Sequence, residues 1–199
     1  MTIQPDRASG LRERKKERTR QAIQDEAVRL FLEQGYERTT IDQIAAAAEV
    51  SERTLFRYFP TKADILAYDM IEPAVAEAFV GQPPRLTATA ALRAAIQQVY
   101  ASLPQDRIQR ERGRQRLIAE VRGLRAITPR KIDDVLGLLT AAALRRTGRA
   151  PGDQALSTWV GAVAGVIGTC YRDWALDPAG QDIIDLIDGR LAALESGLM

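Results

Sequence analysis

The chain has 199 residues, of which 46% are apolar and 27% charged, and its formal net charge is +2. That length allows one large helical unit or two small ones with a sizeable core; so small a net charge does not by itself announce nucleic acid, and the distribution of charge has to. With no histidine and one cysteine, Cys170, a metal site or catalytic dyad based on histidine and an intrachain disulfide are excluded, and a reducing cytoplasm is the natural setting. The chain has no Walker-type loop, dinucleotide fingerprint or paired cysteines, so neither an enzyme nor a cofactor is expected.

Residues 1–10, MTIQPDRASG, read as a disordered polar lead-in without the apolar core and cleavage site of a signal peptide. LRERKKERTR follows, with seven basic positions from Arg7 to Arg20 against Glu13 and Glu17. Such a run is a solvated face or, ahead of a DNA-binding motif, an extension that meets phosphates. The first helix continues through Ile23, Ala27, Leu30 and Phe31, spaced i, i+4, i+7, i+8 for a buried stripe. Gly35 ends it as a left-handed C′ residue, and Tyr36 is expected to plug the core.

Residues 39–66 are the most informative stretch. Thr40 with Gln43 has capping-box spacing for a helix over 41–48. Ser51 caps a second helix over 53–59, which Pro60 stops, and Thr61 with Asp64 opens the next. Ile44, Ala47, Val50, Leu55 and Phe59 are spaced to meet in a three-helix core. Arg53, Thr54, Phe56, Arg57 and Tyr58 are left outside, a combination suited to a DNA groove. Lys62 lies in the first turn of a helix, where a cation is mildly unfavourable. It is a solvated lysine or, with a phosphate at the same helix end, a DNA contact.

From about Thr19 to Leu66, the string AVRLFLEQGYERTTIDQIAAAAEVS through RTLFRYFPTKADIL resembles the N-terminal domain of the tetracycline-repressor (TetR) family of transcriptional regulators. The resemblance implies an all-α homodimer that binds a palindromic operator in double-stranded DNA, with an effector site in a divergent C-terminal helical domain. It implies that Thr40 touches phosphate, with Ser51 at the start of the recognition helix, and that Arg53, Thr54 and Arg57 face base edges. It also implies that Phe56 and Tyr58 pack on the backbone and that Lys62 pairs with a phosphate. Two recognition helices about 34–36 Å apart would enter successive major grooves. Glu49 and Arg53 depart from the family pattern, each standing where glycine is common, and Phe56 replaces a frequent tyrosine.

The domains expected are 11–61, helix-turn-helix, and 62–199, effector-binding and dimerisation, with about nine helices in all. The fourth helix carries Ile65, Leu66, Met70, Ile71, Val75 and Phe79, and Pro73 is expected to kink or cut it. GQPPR breaks the chain at 81–85. A fifth helix runs over 89–103. The sixth, 106–126, is rich in arginine, which makes it a solvated face or an attractor of an anionic effector. The seventh runs over 129–147.

The eighth helix, 154–176, contains about seventeen uncharged residues, short of the roughly twenty needed for a membrane span. Gly161, Gly165 and Gly168 share one side of it, and mid-helix glycine costs about 1 kcal/mol against alanine, so close approach of another helix is expected. With Ile184, Ile187 and Leu191 of the ninth helix, 181–198, these glycines form the expected dimer interface. Cys170 is expected to be structural and buried. The expected effector is an apolar or amphipathic small molecule, with an acyl-CoA-like compound as one form, and its candidate contacts are Met70, Phe79, Tyr100, Ile118, Leu139, Trp159 and Val163. The rival function, a helical small-molecule-binding or interaction protein, leaves Arg53, Arg57 and Lys62 beside three capped helix starts unexplained.

Overall fold

The computed structural model describes residues 7–68, 71–124, 127–177 and 179–197. These residues form ten α-helices and one 3₁₀ turn, with no strand among them. The chain packs as two compact units, Met1–Tyr68 and Asp69–Met199.

In the first unit α1 spans Arg7–Gln34, α2 Ile41–Ala47, α3 Glu52–Tyr58 and α4 Lys62–Ala67. Because α1 already begins at Arg7, the expected lead-in does not extend to residue 10, and residues 1–6 lie outside the described residues. Ile23, Ala27, Val28 and Phe31 form its buried stripe. Gly35, at φ +91°, donates its N–H to the Phe31 carbonyl at 3.0 Å, and the Tyr36 ring lies 5.0 Å from that of Phe31. Thr40 accepts from the Gln43 N–H while the Gln43 side chain accepts from the Thr40 N–H. Thr61 and Asp64 repeat this box at α4, and Ser51 accepts from the Thr54 N–H at α3. Each such cap is worth about 1 kcal/mol, which is how helices of six or seven residues keep defined ends.

Leu55, Phe59, Ile44 and Ala45 are buried, whereas Ala47 and Val50, expected in the core, are half-buried. Glu49 takes φ +53° in the turn between α2 and α3, a left-handed conformation that costs a side-chain-bearing residue about 1–2 kcal/mol.

Helix α4 belongs to the first unit, not to the domain expected to begin at residue 62. Ile65 and Leu66 are fully buried. The Gln24 amide, on the apolar stripe of α1, donates to the carbonyls of Ile65 at 2.6 Å and Tyr68 at 2.7 Å. The expected fourth helix is therefore two helices, and Pro73 is not where it breaks. Tyr68 leaves the helical conformation, and Pro73 is the third residue of α5, within the first turn, whose N–H groups have no intrahelical partner.

In the second unit α5 spans Ile71–Gly81, α6 Ala88–Ala101, α7 Gln105–Glu120, the 3₁₀ turn Arg122–Leu124, α8 Ile127–Thr147, α9 Gln154–Leu176 and α10 Ile183–Ser196. α5 packs on α6 and α8, α9 packs on α7, α8 and α10, and α10 lies against α6. Arg146 replaces a conventional cap at the end of α5: its guanidinium donates to the carbonyls of Phe79, Gln82, Pro83 and Leu86 at 2.7–3.2 Å. Arg93 clasps the Asp188 carboxylate with two hydrogen bonds, joining α6 to α10. Cys170 is fully buried, and burial pushes its thiol pKa up, the environment of an inert structural cysteine.

Candidate nucleic-acid interface and effector cavity

The rotation of α3 is set by Leu55 and Phe59, which enter the core. Arg53, Phe56 and Arg57 consequently share its exposed side, while Thr54 and Tyr58 are half-buried. Thr40 and Ser51 are exposed at the N-termini of α2 and α3, and the Ser51 hydroxyl also donates to Thr54 Oγ1 at 2.9 Å. The Tyr58 ring has arginines against it: the guanidinium of Arg57 lies 5.1 Å and that of Arg20 5.7 Å from its centroid. Arg20 also sits 5.3 Å from the Tyr68 ring and pairs with Glu17 at 3.1 Å. The Tyr68 hydroxyl donates to Glu17. Burial first, and that hydrogen bond second, push the Tyr68 phenol up to about 12.

Lys62 does not present a free ammonium to a phosphate. Its Nζ donates to the carbonyls of Tyr36 at 2.9 Å and Thr39 at 3.0 Å, and it lies 4.6 Å from the centroid of the Tyr36 ring. The cation at the start of α4 escapes the unfavourable end of that helix by reaching carbonyls of the loop between α1 and α2. The same loop is held at Thr39, a buried residue whose hydroxyl bonds to the Gly35 carbonyl at 2.9 Å. The sequence placed Glu17 and Arg20 only within the charged run of the first helix, and it gave no role to Gln24 or Tyr68. Gln24 left a signal, a polar residue at the i−3, i−4 and i−7 positions to Ala27, Val28 and Phe31.

In the second unit an apolar cavity of about 70 Å³ is lined by Ile71, Glu72, Val75 and Ala76 of α5, and by Leu92, Ile96 and Tyr100 of α6. Val135, Leu138 and Leu139 of α8, Ile167 and Tyr171 of α9, and Ile187 of α10 complete it. The Tyr100 and Tyr171 hydroxyls are hydrogen-bonded to each other. Of the expected effector contacts, Tyr100 and Leu139 line this cavity. Phe79, Trp159 and Val163 do not: Phe79 and Trp159 stack at 5.9 Å, Trp159 Nε1 donates to Thr89 at 2.9 Å, and Val163 is fully buried in the core. Ile118 lies on α7, which contributes no lining residue, and Met70 lies outside the described residues.

The arginines of α7 are largely engaged by the protein itself. Arg110 pairs with Asp106 at 2.7 Å and Arg116 with Glu120 at 2.9 Å. Arg112 donates to the carbonyls of Trp174 and Asp177 at the end of α9. Arg114, 2% exposed, makes two hydrogen bonds to the carboxylate of Glu111, at 2.8 and 2.6 Å. Arg125 lies outside the described residues.

The expected interface residues divide. Gly161, Gly165 and Gly168 are exposed along α9, and a Cβ at any of them would meet open space. Among the described residues, no other helix makes the close approach expected there. Ile187 and Leu191 are only 2% and 0% exposed and belong to this chain's own core, because the α10 stripe they share with Ile183 packs inward. Ile184 is half-buried.

Residues 23–68 match the family model for bacterial regulatory proteins of the tetR family, and residues 86–199 match that of the MftR C-terminal domain. The HTH-type transcriptional regulator TcmR of Streptomyces glaucescens is 42% identical over 98 residues, which cover 45% of this chain and 42% of that relative. The chain thus spans less than half the length of the curated relatives it matches. Among solved structures, Thermus thermophilus FadR, a TetR-family repressor in complex with lauroyl-CoA, superposes at TM-score 0.58 with 23% identity over 90% of this chain and 95% of that one. SmeT, repressor of a Stenotrophomonas maltophilia multidrug efflux pump, gives 0.57 at 20% identity over 87% of this chain and 89% of that one. These two carry the fold only. With family models matching both its units, the chain belongs to the TetR family of bacterial regulatory proteins and carries a C-terminal domain of the MftR type.

Proposed function

We propose that this chain is a cytoplasmic, ligand-responsive transcriptional repressor that binds a palindromic operator as a homodimer. The observation that carries this reading is the exposed Arg53–Phe56–Arg57 side of α3, a helix capped at its start by Ser51 and locked in rotation by Leu55 and Phe59. Arg53 and Arg57 are the base-reading groups, with Thr54 beside them, and Thr40, Ser51 and Tyr58 lie along the phosphates.

The open glycine side of α9 supports self-association. A second copy can approach the backbone closely at Gly161, Gly165 and Gly168 to build a four-helix interface with α10. Gly165→Leu is then expected to shift the protein toward monomer in sedimentation; an undiminished dimer would move the interface elsewhere.

The effector is an apolar small molecule with a single hydrogen-bonding group for the Tyr100–Tyr171 pair. An acyl-CoA-like effector draws no support from α7, whose arginines lie outside the cavity lining. At about 70 Å³ the cavity is less than half the size of the engineered cavity of about 150 Å³ that admits benzene. An effector therefore has to displace the walls supplied by α5, α6, α8, α9 and α10. That displacement gives it different affinities for two helix arrangements, the requirement for coupling, typically of 1–3 kcal/mol.

The test is selection of bound fragments from sheared genomic DNA of the source organism, with the Arg57→Ala protein in parallel. The parent protein recovers a few palindromic sites. Arg57→Ala loses about 1–3 kcal/mol of discrimination between those sites and random DNA, the worth of one bidentate guanine contact. Equal loss of specific and non-specific binding would remove Arg57 from base reading. Recovery of unenriched DNA by the parent would leave a helical small-molecule-binding protein.

A further inference from the structure

Phe56 is 47% exposed, and its surroundings set it apart from the other aromatic residues of the first unit. Phe31 and Tyr36 pair at 5.0 Å and Phe59 and Tyr68 at 5.7 Å, while the Tyr58 ring has Arg20 and Arg57 against it. Among the described residues of that unit, Phe56 is the aromatic side chain with neither a ring nor a cation against it. Its position follows from the core. With Leu55 and Phe59 buried one turn apart, the residue after Leu55 must project from the solvent side of α3, three positions from Arg53 and one from Arg57.

An aromatic ring without a hydroxyl, on the same exposed helix face as Arg53 and Arg57, has nothing to offer a phosphate. On the edges of base pairs in the major groove, the apolar feature is the C5-methyl group of thymine. We propose that Phe56 reads this methyl group, so that each half-site carries a thymine beside the guanine taken by Arg53 or Arg57. This rests on the operator-binding reading above and makes Phe56 a specificity-determining residue instead of a backbone-packing one. The two flanking guanidinium groups favour this occupant over an apolar protein partner, because they draw the ring toward a polyanion.

The test uses the operator recovered by the parent protein. Each thymine of a half-site is replaced in turn by deoxyuridine, which keeps every hydrogen-bonding group and removes only the methyl. Affinities are measured at one fixed salt concentration, since phosphate contacts make all such values salt-dependent. The parent is expected to lose about fourfold at one thymine per half-site, the transfer value of one methyl-sized group, and the square of that factor when both half-sites are changed. Phe56→Ala, a substitution at an exposed position, is expected to bind the thymine and deoxyuridine operators alike, and Phe56→Leu to keep part of the discrimination.

A parent protein indifferent to deoxyuridine at every position overturns the proposal, and so does methyl dependence that survives in Phe56→Ala. Either result leaves the operator-binding reading standing. A parent protein that prefers no fragment over random DNA overturns that reading, and this proposal with it.

Discussion

The Glu111→Ala protein is expected to melt at least about 6 °C below the parent. Arg114 is almost wholly buried, and the Glu111 carboxylate, itself 9% exposed, takes two of its hydrogen bonds one turn back along α7. The same carboxylate accepts from the Gln115 amide at 2.8 Å. Removing one partner of a buried ion pair costs about 3–5 kcal/mol, because the remaining charge stays desolvated without its compensating anion. In a chain of this length each kcal/mol shifts the transition by about 2–4 °C.

The pair as a whole need not stabilise the fold, since an apolar replacement of similar volume is often neutral or better. Glu111→Leu/Arg114→Met should therefore recover most of the loss. Differential scanning calorimetry of the single and double variants separates the two effects. A single variant that melts with the parent would show that the buried guanidinium finds adequate compensation elsewhere.

The second large effect is expected at Lys62, where two accounts of the same residue give opposite signatures. If its ammonium mainly served a phosphate, Lys62→Met would leave stability unchanged and reduce the slope of log K against log salt by about 0.9. The geometry points to the other outcome. Two charge-assisted hydrogen bonds to the carbonyls of Tyr36 and Thr39, each worth about 1.5–3 kcal/mol, pin the loop that leads into Thr40 and α2. Because the lysine is only partly buried, the lower end of that range applies. Lys62→Met is expected to lower the stability of the Met1–Tyr68 unit by about 2–3 kcal/mol and to weaken binding to all sequences, with the salt slope retained. Chemical denaturation followed by circular dichroism, paired with a salt titration on one operator, reads both quantities. An unchanged denaturation midpoint with a shallower slope would return Lys62 to the phosphate.

What local chemistry determines was legible in the sequence. Thr40 with Gln43, Ser51, Thr61 with Asp64, and Gly35 act on backbone groups within about four residues of themselves, so the ends of the short helices needed no knowledge of the fold. The sides of α3 followed from Leu55 and Phe59 in the same way, and they placed Arg53, Phe56 and Arg57 outside. Family resemblance carried the all-α architecture and the helix-turn-helix.

Only the tertiary structure decided where long, flexible or apolar side chains find their partners. Lys62 reaches residues 23 and 26 positions away, and Gln24 reaches carbonyls more than 40 positions away; helical periodicity is silent about both. An arginine-rich segment looked the same whether its guanidinium groups face water, cap α9 or lie buried, and α7 does all three. Apolar positions such as Phe79, Tyr100, Leu139 and Ile187 are interchangeable as hydrophobic pattern. Whether one of them fills the core, lines the cavity or meets a second copy depends on which helices its neighbours bring to it, because hydrophobic burial is non-directional and close packing assigns each side chain its place.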